Sequence, residues 1–261
     1  IQAKSRELMF DFDVKYAQNQ EKVKPYYDAA KDIEKDADAL YDHITQLKAN
    51  IMAVASGDRE VVESNGDLSA YIAMDNTARR DTVLSIQYIE KKDEYQEITN
   101  YLVGTDPTKP KEGVFTASEL KQKLLSFRDG LKDVTFTDAI GDTFEVSPGL
   151  TASLDQTFNY PKEMEDHLEV LWEEANFFDV PLAAVIPILS KLQIDVENAK
   201  SSLINELIAG IEGKSFKFTN LVPLVVPESN YILRGDSFRA DVILAAYDAT
   251  NHPDIFIDDR N

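Results

Sequence analysis

Apolar residues recur at helical spacing through most of the first 212 positions, and the pattern becomes extended after Gly213. Leu182, Val185, Leu189, Leu192, Val196, Ala199 and Leu203 step by three and four, and Leu207 and Ile211 prolong the stripe. That spacing predicts one apolar face on a long helix. Beyond Gly213, Phe216-Lys217-Phe218 and Phe238-Arg239-Ala240-Asp241-Val242 alternate with a period of two, as a half-buried strand does. A second long stripe comes earlier, in Ala30, Ile33, Ala37, Leu40, Ile44, Leu47, Ile51 and Val54, and predicts a helix over Asp28–Ala55. Met9, Phe10, Phe12, Val14 and Tyr16 extend the helical reading upstream, with Pro25 as the expected kink.

Local signals punctuate these stripes. Gly57 is placed to end the helix as a C-cap, and Ser64-Asn65-Gly66-Asp67 reads as a turn. A further helix is predicted over Ala78–Val103, ending at Gly104 before the Asp106-Pro107-Thr108-Lys109-Pro110 loop. Thr116 and Glu119 have the spacing of a capping box, opening a helix with Leu120, Leu124, Phe127 and Leu131 on one face. Residues 133–160 read as irregular, and Pro161 as the start of a helix carrying Met164, Leu168, Leu171 and Ala175. Asp179 is the expected cap of the last helix, which Pro181 enters and Pro187 bends, while Gly210 and Gly213 terminate it. Five or so such helices predict an antiparallel bundle. The fold class is therefore α+β and multidomain: a helical bundle over residues 1–213, then a β-domain begun by residues 214–261.

Composition narrows the partners. The 261 residues carry a net charge of -20; of 27 basic and 47 acidic side chains, only 5 and 7 lie after position 213. The helical part is the acidic part, which repels phosphate backbones and anionic headgroups, so no nucleic-acid partner is expected. There is no cysteine, and hence neither disulfide nor thiolate metal site. No stretch approaches the roughly 18 apolar residues that span a bilayer. No signal peptide is visible, and both ends read as cuts within a longer protein.

Candidate chemistry fails position by position. A di-iron bundle needs Glu-x-x-His on two helices. Leu40, Met164 and Ala249 stand where those glutamates would precede His43, His167 and His252, so the three histidines read as scattered surface residues. Gly213-Lys214-Ser215 echoes a phosphate loop, but Ile208 replaces the first glycine, and a helix ends where one should begin. The Gly-x-Ser-x-Gly elbow and His-Glu-x-x-His helix are absent. Asp138, Asp142 and Glu145 lack the EF-hand pattern and read as a polar loop. Arg234-Gly235-Asp236 is read as a hairpin turn between Tyr231 and Phe238, and Trp172 as a packing residue. The sequence assigns no catalytic, cofactor or metal residue. Its nominated residues are structural: Leu40, Ile44 and Leu47 with Leu189, Leu192 and Val196, while Lys48 reads as a flanking position outside the seam.

The junction carries the specific letters. Trp172-x4-Phe177-Phe178-x2-Pro181-Leu182-Ala183-Ala184-Val185-Ile186 is followed by Leu189-Ser190-Lys191-Leu192-Gln193-x-Asp195-Val196-x-Asn198-Ala199. Then come Ser215-Phe216-Lys217-Phe218, Pro227-x-Ser229-Asn230-Tyr231 and Leu244-Ala245-Ala246-Tyr247-Asp248. Together these resemble the periplasmic part of the GldM family, called PorM in non-gliding bacteria, of gliding motility and type IX secretion. The resemblance is strongest over residues 172–253. It implies a non-enzymatic, dimeric periplasmic rod, with immunoglobulin-like β-sandwich domains beyond the bundle and no cofactor. It also implies an inner-membrane anchor helix just before Ile1. The implied partners are a membrane component of GldL/PorL type, powered by the proton-motive force, and the outer-membrane-side GldK/GldN (PorK/PorN) ring. The rival readings are a ligand-sensing helical bundle of a membrane receptor, which an apolar pocket with convergent polar groups would favour, and a metal-dependent bundle enzyme.

Overall fold

The structure is a computed structural model and describes residues 2–75, 80–139, 141–165, 168–214, 220–227, 231 and 237–247. Two helices dominate it. α2 (Gln20–Ser56) has 37 residues and α8 (Leu182–Lys214) has 33, so at 1.5 Å per residue they are about 55 and 50 Å long. They lie side by side and antiparallel, as the cross-helix pairs described below require. α1 (Gln2–Gln18) joins them, placing Met9 and Phe12 in the same core.

The short helices α3 (Arg59–Glu63), α4 (Gln96–Leu102), α5 (Ala117–Lys132), α6 (Pro148–Thr157) and α7 (Trp172–Phe177) surround this pair. One continuous core runs from Met9 to Ile211, with Leu102, Leu120, Leu124, Phe158 and Phe177 contributed by the surrounding elements. Four two-stranded antiparallel hairpins complete the described residues: β1–β2 (Ile72–Asp75, Arg80–Val83), β3–β4 (Thr135–Thr137, Thr143–Glu145), β5–β6 (Glu163–Glu165, Leu168–Val170) and β7–β8 (Asn220–Pro227, Ala240–Tyr247). A helical region followed by a β-hairpin is thus the observed architecture.

Local chemistry accounts for several boundaries. Gly57 adopts φ 100° and its N–H reaches the carbonyls of Ala53 and Val54, the left-handed cap expected of it. Asn65 has φ 52°, and Gly66 donates to the Val61 carbonyl at 2.7 Å, closing the predicted turn. Thr116 Oγ1 accepts from Glu119 N at 3.2 Å, while Glu119 Oε2 accepts from Phe115 N at 2.5 Å. This is the capping box, with its return bond shifted one residue upstream. Leu120, Leu124, Phe127 and Leu131 are buried, as their spacing predicts.

Elsewhere the structure corrects the sequence reading. The chain breaks between α1 and α2 at Asn19, whose side chain accepts from Lys22 N at 3.1 Å; Pro25 sits inside α2. The Ala78–Val103 helix is not formed among the described residues, which resume at Arg80. Its place holds β2, a 3₁₀ turn at Ile86–Tyr88 and only the seven-residue α4. Within the stretch read as irregular, the described residues form β3, β4 and α6, with Ser147 capping α6 through Leu150 N at 3.3 Å. The helix expected from Pro161 is the β5–β6 hairpin instead, with α7 starting only at Trp172.

Asp179 does not cap α8. It adopts φ 53° and donates its N–H to Thr99 Oγ1 at 2.9 Å. The free N–H groups of Leu182 and Ala183 go to the carbonyls of Glu94 and Lys92, both at 2.9 Å, so a neighbouring loop caps the helix. α8 also runs through Gly210 and Gly213 to Lys214, so neither glycine terminates it. The strand start expected at Ser215, the Phe216–Phe218 alternation, Arg234-Gly235-Asp236, His167 and His252 all lie outside the described residues.

Candidate functional site

The six residues nominated for stiffness all lie in one buried core. Leu40, Ile44 and Leu47 of α2 and Leu189, Leu192 and Val196 of α8 are all buried and belong to the same core. Between and beside them lies a line of buried polar groups. Lys48 Nζ donates to Ser190 Oγ at 2.8 Å and to Gln193 Oε1 at 2.5 Å. Gln193 Nε2 donates in turn to Thr45 Oγ1 at 2.8 Å and to the Tyr41 carbonyl at 3.0 Å. Further along, Lys200 Nζ lies 2.9 Å from Glu197 Oε2 and 3.2 Å from Asp38 Oδ1. Descending numbers on α2 meet ascending numbers on α8, so the seam defines one antiparallel register.

Electrostatics sharpen the point. Lys48 is only 5% exposed and no carboxylate offsets its charge; burial draws its pKa down from 10.5 to about 8. Lys200 and Glu197 are 4% and 2% exposed, and they hold each other. An ammonium taken out of water is tolerated only where partners meet its donors. Sliding α2 past α8 by one turn would carry Lys48 away from Ser190 and Gln193, and Asp38 away from Lys200, which keeps Glu197 on its own helix.

The far end of the pair is closed by an aromatic plug. Tyr26 is buried and donates its hydroxyl to Asp138 Oδ2 at 3.2 Å. Its ring meets Phe136 and Phe144 edge-on at 4.8 and 5.9 Å. Gly210 of α8 leaves room for that ring, since a Cβ there would lie 2.9 Å from Tyr26 Cε1. Glu206 ties the same helix to the loop before α6, accepting from Ser147 N at 2.6 Å and Ser147 Oγ at 2.9 Å.

Several expectations resolve here. Lys48 is a buried member of the seam and not a flanking position, because Ser190 and Gln193 give its ammonium somewhere to go. His43 is no surface residue. Its ring stacks on Phe115 at 4.7 Å, and Nε2 lies 3.4 Å from Glu119 Oε2. Burial lowers the His43 pKa below 6.5, with Glu119 acting in the opposite sense. Trp172 packs as expected, against Phe177 and Tyr160 at 5.2 and 4.7 Å.

The Asp138 carboxylate is engaged by Tyr26 and by Asp142 N at 2.9 Å. Among the described residues no three His, Asp or Glu side chains are placed to share a metal ion. Beside His43 a groove of about 1050 Å³ opens between α2 and α5. It is open along its rim, where exposed Asp32, Asp36 and Gln122 line it.

Lys48, Gln193, Glu197 and Lys200 were missed by sequence reasoning. Their signal was position: Gln193, Glu197 and Lys200 each follow a stripe residue, on the border of the apolar face of α8. A border residue with a long side chain ordinarily turns to solvent.

No helix among the described residues is long and apolar enough to cross a membrane. Comparison with family models matches residues 1–210 to the GldM N-terminal domain and residues 212–261 to the GldM second domain. No curated protein matches the chain.

Proposed function

We propose, from the premise that this chain belongs to the GldM family of gliding-motility and type IX secretion components, that it is a periplasmic rod that transmits motion. The family is a structural component of motility and secretion. In this reading the rod is a dimer anchored in the inner membrane. A GldL/PorL-type partner drives it with the proton-motive force, and it passes rotation or tilt toward a GldK/GldN-type ring. Residues 214–261 would begin an immunoglobulin-like sandwich, of which β7–β8 forms the first hairpin.

The observation that supports transmission is the seam between α2 and α8. Two helices of about 50 Å bend or slide together only if their register holds under load. Leucine packing alone allows neighbouring registers of similar energy. Lys48 and Gln193 make the alternatives costly, because each would leave buried donors without acceptors, and Lys200 would lose its contact with Asp38. Stiffness of this kind suits a part that carries force, and no substrate chemistry is needed for it.

The test is an interruption of the coupling in the full-length protein in cells. A flexible Gly/Ser insert of about 15 residues after Lys214 breaks rigidity beyond α8 without touching the seam. Retained membrane-complex assembly with lost secretion or gliding is the expected result. Normal secretion and gliding would leave a passive scaffold in place of a transmission rod.

A further inference from the structure

The groove between α2 and α5 has no part in the reading above. Its floor is apolar: Ile33 and Leu40 from α2, Phe127 and Leu131 from α5, each less than a tenth exposed. Along the α2 rim stand Asp28, Asp32 and Asp36, all exposed and one helical turn apart. Asp28 pairs with Lys24 at 2.9 Å, whereas Asp32 and Asp36 carry no ion pair among the described residues. Lys123 is the one lysine or arginine among the lining residues, and it lies 3.6 Å from Glu119, so its charge is already met. On the α5 side Gly130 leaves the groove wide, with nothing within 4 Å of where its Cβ would stand.

We propose that this groove docks a cationic amphipathic helix of a partner protein. The carboxylates repeat every four residues along one helix, so Lys or Arg at i and i+4 of a second helix lying in the groove would face them in turn. Small apolar residues on that helix would reach the floor beside Gly130. Charge complementarity selects this occupant over a second copy of the chain, whose net charge of -20 would be brought against a like-charged rim.

The probe is a fluorescein-labelled peptide of about 14 residues, some 20 Å as a helix, made of Leu, Ala and Lys with lysines at i and i+4. Its control has the same composition in an order that breaks the helical pattern. Anisotropy titrations with the whole chain are run at about 0.15 M salt, where distant charges are screened. The patterned peptide is expected to bind at least about tenfold tighter than its control, and to lose about tenfold, or 1.4 kcal/mol, against Asp28→Asn/Asp32→Asn/Asp36→Asn. Gly130→Leu, which fills the groove and leaves the charge alone, should weaken it as much.

Circular dichroism checks that each variant folds, and the triple Asn variant, altered only at exposed positions, decides the matter if Gly130→Leu does not. Equal binding of both peptides would reduce the effect to general attraction by an acidic surface and overturn the proposal. So would unchanged binding by the variants, or a chain dimer that Gly130→Leu dissolves.

Discussion

Lys48 on α2 donates to Gln193 Oε1 on α8 at 2.5 Å, and Gln193 returns its own Nε2 to Thr45 Oγ1 at 2.8 Å. The exchange closes a loop of buried bonds between residues 148 and 145 positions apart. It makes the contact between the two long helices specific where leucine packing alone would be merely adhesive.

Substitution at Lys48 should therefore behave as a core change. Lys48→Asp removes the ammonium and buries a carboxylate beside Gln193 Oε1, which should cost about 3–5 kcal/mol. Lys48→Met keeps the volume and removes the charge. It leaves one amide oxygen without its donor, at about 1–2 kcal/mol, partly returned by the relieved burial of charge. Urea midpoints measure both. A Lys48→Asp cost below about 1 kcal/mol, the surface norm, would mean that the seam is wet.

The lowered pKa of Lys48 gives a signed pH dependence. Its folded value, about 8, lies below the ordinary lysine value of 10.5, so between these pH values the unfolded chain binds more protons than the native one. Stability attributable to Lys48 should thus rise from pH 8 to 10.5, by at most about 3 kcal/mol, and its penalty is fully present below pH 8. Other groups titrate in the same window, so the comparison is with Lys48→Met. The gap in unfolding free energy between wild type and variant should shift in favour of wild type as pH rises; a constant gap would contradict the assignment.

Two glycines should respond oppositely to the same change. Gly130 and Gly210 are both helical, and Gly to Ala in a helix ordinarily stabilises by about 0.5–1 kcal/mol. Gly130→Ala meets open space and should show that gain. Gly210→Ala places a Cβ 2.9 Å from a Tyr26 ring held by Asp138, Phe136 and Phe144, and should destabilise by about 1–3 kcal/mol. Thermal melts of the two variants settle it, and a stabilised Gly210→Ala would mean the Tyr26 ring moves aside freely.

Among the described residues the buried core reaches to Ile211, and both apolar clusters lie before Lys214. A protein of residues 1–214 should therefore fold alone. Its helical circular dichroism and melting temperature should match those of the longer chain within a few degrees. A melting temperature lower by about 10 °C, on the order of several kcal/mol, would show that the β-hairpin region shares in the bundle's stability.

What could be read in the sequence is what repeats or what is local. The stripe from Ala30 to Val54 sums eight agreeing positions, and the stripe from Leu182 to Ile211 nine, so both long helices follow from periodicity. Caps at Gly57 and Thr116 involve residues four or fewer apart and are likewise legible. Shorter segments misled. Met164, Leu168, Leu171 and Ala175 hold helical spacing, yet Glu163–Glu165 and Leu168–Val170 pair as antiparallel strands in which Glu163 faces Val170. Four positions cannot separate about three turns of helix from two short strands and a helix start. The Ala78–Val103 reading failed likewise, on a segment whose β-branched Thr82, Val83, Ile86 and Ile89 suit extended structure.

The sequence by itself thus determined that two long amphipathic helices exist, where several of the helices start and stop, which apolar residues they bury, and which family they belong to. Only the tertiary structure decided how the helices are keyed. Whether Lys48 or Gln193 turns inward depends on partners supplied 142 to 152 residues away, and no local pattern encodes that distance. Apolar burial is additive along one helix and leaves a period behind. Polar burial is decided pair by pair, when the partner arrives.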